Sequence, residues 1–182
     1  MKKQKSPVRP ILLIAVIVLA SIFMVRHFHV KNFHAVVPGV LYISGQPRGM
    51  DYTRMLYKYH LGTIVNVRVA SEHREKNWYN EEVSWVRKNG VKYVELPIDR
   101  SVSRDMYFPD KQTQDKFLEI MADKANLPVL IHGAGGNKRS PMLASVWLIK
   151  EKGLSVEETM KIVKKSKGEP LTKAEISFLK SL

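Results

Sequence analysis

The sequence predicts an α/β domain: a central, mostly parallel sheet flanked by helices. Three observations carry this. Short apolar or β-branched runs alternate with segments of helical period, the pattern of strand–helix–strand units. The last of these runs enters a glycine-rich turn that opens directly into an apolar helix. The chain has 182 residues, 45% hydrophobic and 26% charged, enough for one domain with a packed core and too apolar for disorder.

The elements follow in order. Val40–Ser44 reads as a strand, closed by Gly45, Gln46 and Pro47. Asp51 is placed to cap a helix whose apolar positions are Met55, Leu56 and Tyr59. Thr63–Val67 is a β-branched strand after Gly62. Residues 74–88 read as a helix, with Trp78, Val83 and Val86 inward, ended by Asn89-Gly90. Val91–Leu96 is the next strand, followed by a polar stretch over 97–110. Asp110 caps a helix that carries Phe117, Leu118 and Met121 on one side. Pro128–His132 is a short apolar strand, and the helix after its turn runs from about Arg139 to Lys152. Ser155 with Glu158, and Thr172 with Glu175, have capping-box spacing before two closing helices. Val156, Met160 and Val163 share a face in the first of these, and Ile176 and Leu179 in the second.

The N-terminus is of a different kind. The first 35 residues hold six basic side chains and no acidic one, so +6 of the net +13 lies there and +7 in the rest. Residues 1–10 form a basic n-region, expected in the cytoplasm. Residues 11–25 are uncharged and mostly apolar. As a helix they rise only ~22 Å, against a hydrocarbon core of ~30 Å. With Arg26 snorkelling, the run reaches Val30 and can cross. Residues 11–30 are therefore expected to be a transmembrane anchor. The rival reading is a signal peptide cut near Val18-Leu19-Ala20. Either leaves the body outside the cytoplasm, membrane-anchored in the first case and secreted or periplasmic in the second. Residues 31–36 read as a linker, and the folded domain as 37–182. His27, His29 and His34 lie in or beside this linker with no carboxylate or further ligand pattern, so no metal is read from them.

Charge and composition exclude several classes. With no cysteine there is no disulfide scaffold, cysteine-built zinc site or iron–sulfur cluster. The basic residues form no stripe with interleaved aromatics, so nucleic acid is not expected as a partner. Lys161, Lys164, Lys165 and Lys167 read as a solvated helix face. A membrane-tethered basic domain for anionic lipid or nucleic acid is kept only as the weakest reading.

The informative segment is Pro128-Val-Leu-Ile-His132 followed by Gly133-Ala-Gly-Gly-Asn-Lys-Arg139-Ser140-Pro141. A strand that turns through glycines into a helix N-terminus gathers backbone N–H groups in one concavity, and the helix dipole adds positive potential. Arg139 has the planar fork to grip two oxygens of a phosphate. The segment reads as an oxyanion cradle, most simply for a phosphate monoester. A nucleotide-binding Walker A loop is a poor match, because Arg139 separates Lys138 from Ser140 and no glycine precedes Lys138.

The pattern His132-x-x-x-Gly136-x-x-Arg139-Ser140-Pro141 resembles the signature of the cysteine-dependent dual-specificity and tyrosine phosphatases. The likeness extends over about residues 37–182. It includes Val37-Pro-Gly-Val-Leu-Tyr-Ile-Ser-Gly-Gln-Pro, Thr63-Ile-Val-Asn-Val-Arg68, Leu96-Pro-Ile-Asp99 and the helix over Ser155–Lys165. The resemblance implies a phosphate bound by Arg139 and by the backbone of Ala134, Gly135, Gly136, Asn137 and Lys138. It implies Asp99 as the general acid, with Asp105 the runner-up. It also implies that Ser140 assists the nucleophile and that His132 shapes the loop from behind. Partners would be a phosphorylated protein or a small phosphomonoester, with no cofactor and no metal required.

One position departs from the family. Gly133 stands where the family has its nucleophilic cysteine, and glycine has no atom to attack phosphorus. Three explanations stay open: an engineered inactivation or substrate trap of an active phosphatase, a natural pseudophosphatase that binds phosphorylated ligands, or an artefact, since cysteine to glycine can be one base change. All three keep the cradle, and none allows turnover through a phosphocysteine.

Overall fold

The computed structural model describes residues 8–28, 30–99 and 107–182. Five strands form one sheet in the order β1-β2-β5-β3-β4. They are β1 (His34–Val37), β2 (Leu41–Ser44), β3 (Thr63–Asn66), β4 (Lys92–Glu95) and β5 (Val129–His132). All neighbours are parallel except β1, which pairs antiparallel with β2. The mostly parallel α/β sheet is thus present. Residues 34–37, read as linker and domain start, instead form its edge strand. A bulge between Ala35 and Val37 and its four-residue length hide the alternation that would have marked it.

Pleating sends alternate side chains to two cores. Leu41, Ile43, Val65, Val129 and Ile131 face α5 (Lys111–Ala122) and α6 (Arg139–Lys150), where Phe117, Leu143 and Trp147 meet them. Tyr42, Ile64 and Leu130 face α2 (Met50–Tyr59) and α4 (Asn77–Asn89), through Tyr52, Met55 and Val86. Burial on both faces explains the continuous apolar runs of β3 and β5. Residues 139–148 of α6 are all buried, and beyond Ser140, Ser145 alone interrupts the apolar run, its hydroxyl donating to Met142 O.

The caps are as expected for α5, where Asp110 accepts from Thr113 N at 2.8 Å. Both capping boxes also form, at the starts of α7 (Val156–Lys167) and α8 (Lys173–Ser181). Asp51 differs. It lies inside the first turn of α2, whose N-cap is Gly49, and its carboxylate accepts from Arg48 N instead. The expected helix over 74–88 begins later, at Asn77, after a separate short helix α3 (Ala70–His73).

The apolar N-terminal run is helical, forming α1 (Val8–Phe28), and the side chains described in it, those of residues 10–22, are exposed, Leu12 by 65% and Leu19 by 66%. No helix among the described residues is long and apolar enough to cross a membrane, so the expected span over 11–30 has no support in the structure. Asp105 and most of the polar stretch before Tyr107 lie outside the described residues.

Candidate active site

The sheet delivers the glycine-rich turn to its own carboxyl edge. β5 is central, and its last residue His132 is in register with Ser44 of β2 and Asn66 of β3. Gly133 N donates to Ser44 O, and Val67 N to His132 O. The turn then presses against the end of β2. Gly136 has φ +76°, and a Cβ there would stand 2.2 Å from Gly45 N and 2.3 Å from Ser44 C. Only glycine fits both the left-handed backbone and the close approach. Asn32 adds an outer tie, donating its side-chain amide to Gly135 O at 2.8 Å.

This packing shapes a cavity of about 230 Å³ lined by Gly133 to Ser140 together with Glu72 and Tyr107. Among the described residues, no acceptor takes the backbone N–H groups of 134–138. The cavity also lies at the N-terminus of α6, where the helix dipole favours an anion. Residues 132–140, expected to act together, are therefore gathered at one place.

Gly133 does not have a left-handed backbone. A Cβ built on it would lie 3.3 Å from Val67 Cγ2 and 3.6 Å from Ser140 Oγ. Position 133 can hold a side chain if Val67 yields slightly. The Ser140 hydroxyl is buried and has no hydrogen-bond partner among the described residues. It thus lies unpaired beside the place where a side chain at 133 would begin, and a buried unpaired hydroxyl costs ~1–3 kcal/mol.

Arg139 is 8% exposed and held by a residue the sequence reading missed. Its Nη1 and Nη2 donate to the two Glu72 carboxylate oxygens at 2.9 and 2.6 Å. Its guanidinium also lies 4.1 Å from the Tyr107 ring centroid. Nε is buried without a partner among the described residues. Burial opposes the Arg139 charge, but Glu72 more than offsets it and keeps the guanidinium above its ordinary value. Hydrogen bonds from Arg139 in turn hold the Glu72 carboxyl below the usual range, against the effect of its own burial; Arg68 Nε adds a bond at 3.2 Å. The signal for Glu72 was its i+4 spacing from Arg68.

A second missed residue lies behind the loop. His132 and Glu82 are both fully buried, with Nε2 2.9 Å from Oε1. Glu82 also accepts from Gln46 Nε2 and Tyr93 OH. Burial pushes the Glu82 carboxyl up, but the charge of His132 and these hydrogen bonds outweigh it and leave the group below its ordinary value. Its signal was a carboxylate between Trp78 and Val86 on the inward stripe of α4.

Asp99 is not a lining residue of the cavity. The chain continues beside β3 past the end of β4, with Leu96 N donating to Asn66 O and Ile98 N to Val67 O. Asp99 therefore emerges, exposed, at the same carboxyl edge as the loop. Among the described residues, no group of three or more His, Asp or Glu side chains is placed to hold a metal ion.

Residues 41–182 match the family model for the dual specificity phosphatase catalytic domain. The chain belongs to this family. Among curated relatives, this phosphatase domain is 26% identical over 134 residues to the dual specificity protein phosphatase Mpk3 of Drosophila melanogaster. That match covers 72% of the chain but only 29% of the relative, so the chain spans under a third of the relative's length. Among solved structures, it resembles the core catalytic domain of the S. cerevisiae PP-IP phosphatase Siw14. The TM-score is 0.66 at 20% identity, covering 82% of this chain and 84% of the other. A substituted form of P. aeruginosa TpbA in complex with phosphotyrosine gives a TM-score of 0.58 at 18% identity, covering 83% and 82%. At these identities the solved structures show the shared phosphatase fold.

Proposed function

We propose that this phosphatase-type domain binds phosphate monoesters in the 133–139 loop but does not turn them over through a phosphocysteine. The observation that carries this is position 133: a socket at the base of an anion cradle, with no nucleophilic atom in it. Arg139 and the N–H groups of Ala134, Gly135, Gly136, Asn137 and Lys138 bind the phosphate oxygens. The ligand is a phosphorylated protein side chain or a small phosphomonoester.

With cysteine at 133, the same arrangement supports turnover. The thiolate sulfur attacks phosphorus, the ester P–O bond breaks, and Asp99 gives its proton to the leaving oxygen. Water then cleaves the S–P bond and returns the thiolate. Ser140 steadies the sulfur, Arg139 holds the transferring group, and His132 braces the loop. The second reading is a natural pseudophosphatase that binds phosphorylated ligands without turnover. Gly133 beside a retained cradle supports this reading as it does an inactivated phosphatase.

Calorimetry with inorganic phosphate near pH 7 tests the binding claim. The chain is expected to bind it, and Arg139→Ala to weaken binding by about 10-fold or more, a charge-assisted contact being worth ~1.5–3 kcal/mol. Equal binding by the two proteins would end the cradle model.

The basic flank and exposed apolar helix α1 support a further reading: attachment of the N-terminus to a membrane, with the domain on the extracytoplasmic side. Fractionation and protease protection of the full chain in cells test this. Soluble chain cut after residue 20 would favour the secreted or periplasmic form.

A further inference from the structure

A second cavity, about 360 Å³, adjoins the phosphate cradle and shares two of its walls, Tyr107 and Lys138. Its remaining surface comes from residues with no part in the phosphate chemistry. Phe108, Met142 and Pro170 give it an apolar lining. Phe108 is held in place by stacking on Phe178, with ring centroids 4.7 Å apart. At its base, Lys167 is almost wholly buried, with Nζ 2.6 and 2.7 Å from the two Glu175 oxygens. Glu175 is fixed by the capping box with Thr172, and Glu169 lies 3.7 Å from the same Nζ.

The charges decide what this cavity accepts. Lys167 is already neutralised and two carboxylates lie beside it, so a second phosphate would meet repulsion there; Lys138, the other cation of the lining, stands on the wall shared with the cradle. The open chemistry is the apolar wall. A ligand whose phosphate sits in the first cavity continues past Tyr107 and Lys138 into the second. Pockets of this kind combine apolar lining with a few fixed polar groups.

We infer that the second cavity takes an apolar or aromatic side chain next to the phosphorylated residue of a peptide, and so selects phosphopeptides by their sequence. This rests on the phosphate-binding reading above. A flanking side chain buried there is expected to raise affinity by about 10-fold, as one apolar group in a fitted pocket does.

The test titrates the full chain with inorganic phosphate and with phosphotyrosyl peptides carrying Gly, Leu, Phe or Glu at each adjacent position. Leu or Phe at one position is expected to bind about 10-fold tighter than Gly, with Glu no better than Gly. In Phe108→Ala the preference should fall below about 3-fold, while affinity for inorganic phosphate stays within about 2-fold. Pro170 is exposed, so Pro170→Glu puts a carboxylate in the wall without entering the core and should abolish the preference too. Phosphate binding with no preference among peptides would overturn the inference and leave the cradle standing. So would a preference for Glu, one that survives both substitutions, or a polyanionic inositol phosphate bound more tightly than every peptide. Failure to bind inorganic phosphate would overturn the cradle reading and this inference with it.

Discussion

Of two glycines in one loop, one is predicted to tolerate alanine and the other not. At Gly136 the backbone is left-handed, φ +76°, which costs an L side chain ~1–2 kcal/mol. The added Cβ would also lie 2.2 Å from Gly45 N and 2.6 Å from Ser44 O, well inside contact distance. Those are backbone atoms of the last residue of β2 and the one after it, so relief requires moving the loop off the sheet. Gly136→Ala should therefore cost about 3 kcal/mol or more, the strain being joined by overpacking of ~1–3 kcal/mol. In a domain of this size that lowers Tm by ~6–12 °C. At Gly133 the backbone is ordinary and the tightest contact is one side-chain methyl, Val67 Cγ2 at 3.3 Å, which has to give by a few tenths of an ångström. Alanine there also reduces unfolded-chain entropy, worth ~0.4–1 kcal/mol, so the net change should stay within ~1 kcal/mol. Thermal and urea unfolding followed by circular dichroism measures both. Phosphate calorimetry on the folded variants should show binding lost in Gly136→Ala and kept in Gly133→Ala. Equal destabilisation by the two would refute the claim that 136 pins the loop while 133 is an open socket.

Three further outcomes follow from the same geometry. Glu82→Ala strands His132 in the core and removes the acceptor of Gln46 and Tyr93, so it should cost ~3–5 kcal/mol, readable as a lower urea midpoint. Acid should also destabilise the domain, because Glu72 and Glu82 are both held below the ordinary value of 4.5. Their contribution is complete above pH 4.5 and is lost as pH falls through the depressed folded values, so the urea midpoint should fall from pH 4.5 to 3.5. A midpoint that rises on acidification would contradict the sign. In a Gly133→Cys background, Asp99→Asn should slow p-nitrophenyl phosphate hydrolysis less than hydrolysis of an alkyl phosphate, whose leaving oxygen needs the proton more; the latter loss should reach ~10²–10⁴.

The sequence made the loop legible because its chemistry is local. Strand, glycines, Arg139 and helix start lie within a dozen positions, and each constrains the backbone directly. The sheet was legible for a related reason: parallel strands buried on both faces carry continuous apolar runs. What escaped depends on distant parts of the chain. Glu72 meets Arg139 across 67 positions, and a glutamate two residues into a short helix reads as an ordinary surface charge. Glu82 meets His132 only because α4 packs over the far face of β5. Asn32, in a stretch read as linker, ties the loop at Gly135 from 103 positions away. β1 escaped because a four-residue edge strand with a bulge has too little alternation to show. Asp51 shows the reverse error, a good capping residue whose backbone neighbour Gly49 takes the cap position.

On the function proposed above, this domain is a phosphatase cradle lacking one sulfur atom. Gly133→Cys tests it most directly, with p-nitrophenyl phosphate as substrate from mildly acidic to neutral pH and the unaltered chain beside it. No turnover is expected from the unaltered chain and metal-independent turnover from Gly133→Cys, with phosphate trapped on the sulfur introduced at position 133 during turnover. A folded Gly133→Cys protein that binds phosphate yet hydrolyses nothing would contradict it.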